Sequence, residues 1–112
     1  MSVRVFGGYR TMWLMVMFDL PTETKEDRRN YHQFHDFLLT DGFSMMQFSI
    51  YIRHCASEDN ALVHKKRIQA SLPDGGEVRV LMITDKQFER MNIFYGRIKR
   101  KPEQPPRQVS LF

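Results

Sequence analysis

The chain has 112 residues, a formal net charge of +4, and 42% hydrophobic against 27% charged residues. That length points to one domain, and the balance is that of a globular protein and not a disordered one. No apolar run approaches the roughly 18 residues needed to cross a bilayer. The single cysteine, Cys55, excludes an intramolecular disulfide and a cysteine-based zinc site, and it fits a reducing cytosol.

The first apolar run, Trp13 to Asp19 (WLMVMFD), reads as a buried strand closed by Pro21. It lies too near Asp19 and Pro21 to be a signal peptide. Thr24 followed by Asp27 approximates a capping box, and Glu23, Glu26 and Asp27 suit the positive end of a helix dipole. Tyr31, Phe34, Phe37 and Leu38 recur at helical spacing, and Gly42 is a good stop, so a helix is expected over 24–41.

From Met46 to Ile52 the period changes to two, as one long strand or two strands meeting at a bend. In that reading Met46, Phe48, Ile50 and Ile52 share one face, and Gln47, Ser49, Tyr51 and Arg53 the other. Ser57 with Glu58 and Asp59 opens a second helix, with a weaker stripe of Ala61, Leu62, Ile68 and Leu72. Pro73-Asp74-Gly75-Gly76 is a strong turn signal, and Val78 to Thr84 follows as a strand. Thr84 or Asp85 can cap one helical turn through Arg90, and Ile93–Tyr95 is a candidate short strand.

Residues 1–96 carry 12 basic and 12 acidic residues, so the net charge lies beyond them. Arg97, Lys99, Arg100, Lys101 and Arg107 stand there against Glu103 alone, which suits either a polyanion partner or a solubilising tail. Val109 to Phe112 are apolar again. The expected organisation is therefore one domain over 1–96, with a leader over 1–11, and a basic tail over 97–112 ending in an apolar strand. The element order is βαββαβ, the ferredoxin-like α+β sandwich: an antiparallel sheet with two helices on one face. That fold by itself implies no function.

Asp19 ends an apolar strand, where a carboxylate must find a partner, a cation or solvent. It either caps the turn beside Pro21 or ligates Mg²⁺, which takes one or two carboxylates plus waters and substrate phosphates. No other acidic residue sits near a comparable strand end in this reading, and a symmetric dimer would supply a second copy of Asp19. His32 and His35 lie three apart on one helix, but no acidic or cysteine ligand completes a metal set. His54 and His64 carry no motif. A glycine-rich phosphate loop, an HExxH motif and the RRM signature are all missing from the sequence.

The run Phe18-Asp19-Leu20-Pro21-Thr22-Glu23-Thr24, then Asp27-Arg28-Arg29 with Tyr31 and Phe34, resembles a particular family. Gly42-Phe43 and Gln47-Phe48-Ser49-Ile50-Tyr51 extend the likeness, and the spacing holds from about residue 13 to 95. Together they resemble the small CRISPR-associated protein of the "Cas two" family, in the form that accompanies type II (Cas nine) systems. The resemblance implies a homodimer of ferredoxin-like domains that bridges two dimers of the CRISPR integrase and holds double-stranded prespacer DNA. It also implies a metal-dependent endonuclease acting on RNA or DNA, with Asp19 as the Mg²⁺ ligand and catalytic residue.

Within that frame Lys99, Arg100 and Lys101 could track a phosphate backbone, and Arg28 and Arg29 are further phosphate candidates. Val109, Leu111 and Phe112 could add a strand to the integrase or to the sister protomer. Two other readings use the same residues. A stand-alone metal-dependent endoribonuclease would need Asp19 and no partner, and a non-catalytic nucleic-acid-binding module would need the tail and not Asp19.

Overall fold

In the computed structural model the structure describes residues 10–97. Four strands and three helices follow one another as β1 (Met12–Asp19), α1 (Lys25–Thr40), β2 (Ser44–Gln47), β3 (Ile50–Cys55), α2 (Glu58–Ala70), β4 (Glu77–Thr84) and α3 (Asp85–Glu89). The strands form one sheet in the order β2-β3-β1-β4, with every neighbouring pair antiparallel. This is the ferredoxin-like arrangement expected from the element order.

β1 sets the two faces of the sheet. Met12, Leu14, Val16 and Phe18 are buried and alternate with less buried Trp13, Met15 and Met17, because successive side chains of a strand point to opposite faces. The buried set joins Phe34 and Leu38 of α1, Ala61 and Ile68 of α2, and Tyr51 and Cys55 of β3 in a single core. Both long helices therefore cover the same face. Phe18 anchors the core at its Asp19 end, stacked on Tyr51 (ring centroids 5.6 Å) and edge-on to Phe34 (5.3 Å).

The helix ends follow the local chemistry. Thr24 caps α1 through a reciprocal capping box with Asp27, and Ser57 caps α2 by accepting from the Asn60 amide. Thr84 caps α3 in a second reciprocal box with Gln87. Gly42 follows α1 at φ 92°, a left-handed conformation that suits glycine.

Three expectations are corrected. Of the two arrangements expected over Met46–Ile52 the structure has two strands meeting at a turn, Phe48–Ser49, but the expected faces are wrong: Tyr51 is only 1% exposed in the core and Phe48 is 78% exposed. Ser49 takes φ 65° in that turn, and a two-residue turn reverses the chain where a continuous period would not. In α2 the buried residues are Ala61, His64 and Ile68, whereas Leu62 and Leu72 are exposed. Ile93–Tyr95 is not a strand in the described chain, and all three side chains are exposed.

On the other face of the sheet none of the described helices longer than α3 packs. The register places Trp13, Met15 and Met17 beside Ile52 and Ile50 on one side and beside Ile83 and Leu81 on the other. α3 covers only the Trp13 end, where Phe88 stacks on the indole at 4.0 Å and Asp85 Oδ1 accepts from Trp13 Nε1 at 2.7 Å. Among the described residues the Asp19 end is left exposed. None of the described helices is long and apolar enough to cross a membrane.

Candidate functional site at the end of β1

Asp19 is the last residue of β1 and the one carboxylate on that strand. Alternation puts it on the open face, in line with Met15 and Met17. On one side the antiparallel register sets it directly opposite Glu77, the first residue of β4. On the other, Phe18 N–H donates to the Ser49 carbonyl at 3.1 Å, so the Phe48–Ser49 turn flanks the same strand end. The Asp19 side chain is exposed and takes no hydrogen bond or ion pair among the described residues.

The turn before β4 brings Glu77 to this position. Gly76 has φ 87°, and a Cβ there would fall 2.6 Å from the Asp19 carbonyl oxygen and 2.7 Å from Leu20 Cδ2. Only glycine lets the two backbones approach so closely. Two carboxylates directly opposite one another across strands repel. Here Arg79 moderates the repulsion, with Nη2 at 3.2 Å from Glu77 Oε2. Glu77 thus corrects the expectation that no other acidic residue lies near a comparable strand end.

The donor set fits a hard divalent cation. Both side chains offer carboxylate oxygens, the donors Mg²⁺ takes, and Mg²⁺ completes its shell with waters and substrate phosphates. No cluster of three or more His, Cys, Asp or Glu side chains able to hold a metal occurs among the described residues. Such a site would share its ion with a substrate phosphate or a second chain and would not enclose it. Asp19 and Glu77 are both exposed at the surface of the sheet. A cavity of about 450 Å³, lined by Arg10, Thr11, Thr84, Asp85 and Lys86, lies at the opposite end of β1. An open surface suits an extended polymer better than a small molecule.

The remaining candidates are dispersed. Arg28 points Nη1 at the carbonyls of Thr22 and Glu23, at 3.1 and 3.0 Å, and so braces the loop that leaves Asp19. Arg29 is exposed on α1. Lys99, Arg100, Lys101, Val109, Leu111 and Phe112 lie outside the described residues. His32 is exposed, whereas His35 lies largely buried and edge-on to Tyr51 at 5.8 Å, so the pair is not presented together to one ion. Burial pushes the Tyr51 hydroxyl up to about 12, aided by the nearby Tyr31, which keeps it neutral in the core.

Sequence reading missed a second polar centre. Asp41, the C-cap of α1, accepts from His64 Nδ1 and Arg67 Nη1, each at 2.7 Å, and its backbone carbonyl accepts from Arg53 Nε at 2.8 Å. His64 stands at a core position of α2, three residues after buried Ala61 and four before Ile68, and that spacing was the available signal. The centre ties α1, β3 and α2 together on the helix side of the sheet, remote from the open face.

A four-stranded antiparallel sheet with both long helices on one face, and with Asp19 and Glu77 opposed at the end of the other, defines a small α+β protein of the ferredoxin-like class. The model of the family described as CRISPR associated protein Cas2 matches residues 12–91, from the first residue of β1 to just past α3. The chain belongs to that family. It is 54% identical over 104 residues to the CRISPR-associated endoribonuclease Cas2 of Flavobacterium psychrophilum, covering 93% of this chain and 90% of the relative. The protein of the same name from Parvibaculum lavamentivorans is 52% identical over 101 residues, 90% of this chain and 100% of the relative. That from Paracidovorax avenae is 43% identical over 105 residues, 94% and 97%.

Proposed function

We propose that the protein is a homodimeric subunit of the CRISPR spacer-acquisition complex with a Mg²⁺-dependent endonuclease activity on RNA or DNA centred on Asp19. In this role it bridges integrase dimers and holds prespacer double-stranded DNA. The observation that carries the nuclease reading is the exposed Asp19 carboxylate at a strand end, opposite Glu77 and without a hydrogen-bond or ion-pair partner among the described residues. The relatives' name, endoribonuclease, supports the same chemistry. A bound Mg²⁺ would neutralise phosphate charge and activate water for phosphodiester hydrolysis.

The open sheet face supports the dimer. Met15, Met17, Ile50, Ile52 and Leu81 form an apolar surface that no described helix covers. Apolar patches of this kind mark association surfaces, and a two-fold contact sets the same patch against itself. Asp19 stands at the end of that face, so a face-to-face pair would bring both copies to the rim of one interface and supply the second carboxylate.

The test is cleavage of labelled single-stranded RNA and duplex DNA, with and without Mg²⁺, by the wild type and by Asp19→Ala. Metal-dependent cutting that the variant loses supports the reading. Absent cutting, or equal cutting by both proteins, leaves a DNA-bridging scaffold in which Asp19 is structural.

A further inference from the structure

Glu77 and Arg79 share the open face of β4 with Asp19, because the register sets Asp19 opposite Glu77 and Met17 opposite Arg79. Directly opposed residues of an antiparallel pair stand about 5 Å apart at Cβ and diagonal ones about 7–8 Å, within reach of an arginine. Arg79 Nη2 lies 3.2 Å from Glu77 Oε2, so the guanidinium leans along β4 towards the end where Asp19 stands. β4 is an edge strand, open on its outer side in the described sheet.

Other arginines of the described fold are differently committed. Arg28 is spent on the Thr22 and Glu23 carbonyls, Arg53 on those of Asp41 and His54, and Arg67 on the buried Asp41 carboxylate. Among the described residues Arg79 has one partner, and that pair is open to water, with the side chains 71% and 63% exposed. An exposed pair held by a single contact stabilises the fold little. The guanidinium can therefore leave Glu77 for a stronger anion, and its planar fork matches a phosphate.

We propose that Arg79 binds a backbone phosphate of the nucleic acid that passes Asp19, and that Glu77 is its internal competitor, holding the guanidinium until a phosphate displaces it. The ligand class is the phosphodiester backbone, read without regard to base. The proposal rests on Asp19 as the site of phosphodiester chemistry, and it assigns the residue that positions the chain there.

The test is binding of a short fluorescein-labelled single-stranded RNA, and separately of a labelled DNA duplex, by anisotropy over a KCl series. Working in EDTA prevents metal-dependent cutting. Arg79→Ala should weaken binding several-fold and lower the slope of log K against log salt by about 0.7 for the single strand. Arg79→Lys should recover part of the loss. Glu77→Gln should tighten binding, and the gain should vanish when Arg79→Ala is present, as a double-mutant cycle reads. Unchanged affinity and salt slope in Arg79→Ala overturn the phosphate contact. An equal Glu77→Gln gain with and without Arg79 overturns the competition. Since these measurements need no metal, they report on Arg79 even where the cleavage assay goes against Asp19.

Discussion

His64 Nδ1 lies 2.7 Å from Asp41 Oδ2, and through that contact the end of α1 is fastened to the middle of α2. Arg67, one helical turn on, closes on the other oxygen at 2.7 Å. The Asp41 and His64 side chains are only 7% and 6% exposed, so the pair works in a medium of low dielectric. Burial there raises the Asp41 pKa, but hydrogen bonds from His64 and Arg67, and then their charges, outweigh it and hold the carboxyl below its ordinary value of 3.8.

A depressed carboxyl makes the native state favour the ionised form. Its stabilisation is complete above pH 3.8, the ordinary value, and is lost as pH falls through the lower native value. Asp41→Asn should therefore cost about 2 kcal/mol at neutral pH. Urea unfolding at stepped pH should show the gap to wild type closing in acid. Parallel curves from neutral to acid pH would contradict this.

The approach of Gly76 to Asp19 gives a paired prediction. Gly76→Ala must place a Cβ 2.6 Å from a backbone oxygen and at φ 87°, so neither neighbour nor conformation can yield cheaply. The expected loss is about 1–3 kcal/mol, or roughly 4–8 °C of melting temperature per kcal/mol. Gly75→Ala meets only Pro21 Cγ, at 3.7 Å, an ordinary contact, and should melt close to wild type. Differential scanning calorimetry of the two variants decides it, and equal melting temperatures would reject the argument.

Cys55 should be inert in the folded protein. It is buried in the core, and that burial pushes the thiol up, away from the reactive thiolate, despite the opposing influence of Arg53. Ellman's reagent should label it only as fast as the chain unfolds, so labelling should accelerate with urea. Rapid labelling in native buffer would count against the packed core around β3.

The open sheet face predicts a separable effect. Leu81→Arg puts a charge on an exposed residue at mid-length of the edge strand β4 on that face, where the monomer fold has little to lose. Light scattering should then report a dimer for the wild type and a monomer for the variant, with circular dichroism unchanged. A dimer that survives the substitution would mean association through another surface.

Much of the fold was legible because its causes are local. The apolar run ending at Asp19, the Thr24–Asp27 box, the Ser57 cap and the Pro73–Gly76 turn are each decided within a few residues by periodicity, capping or backbone freedom. The family likeness rested on the same short runs. The Phe48–Ser49 turn was harder, because a strand period and a hairpin share their alternation until one residue takes positive φ. What only the tertiary structure decided were relationships across the chain. Glu77 stands opposite Asp19 because antiparallel pairing brings the end of β1 to the start of β4, 58 positions later. His64 and Asp41 meet because two helices pack on one sheet face. Sequence spacing records neither register nor packing, and those two quantities make the site.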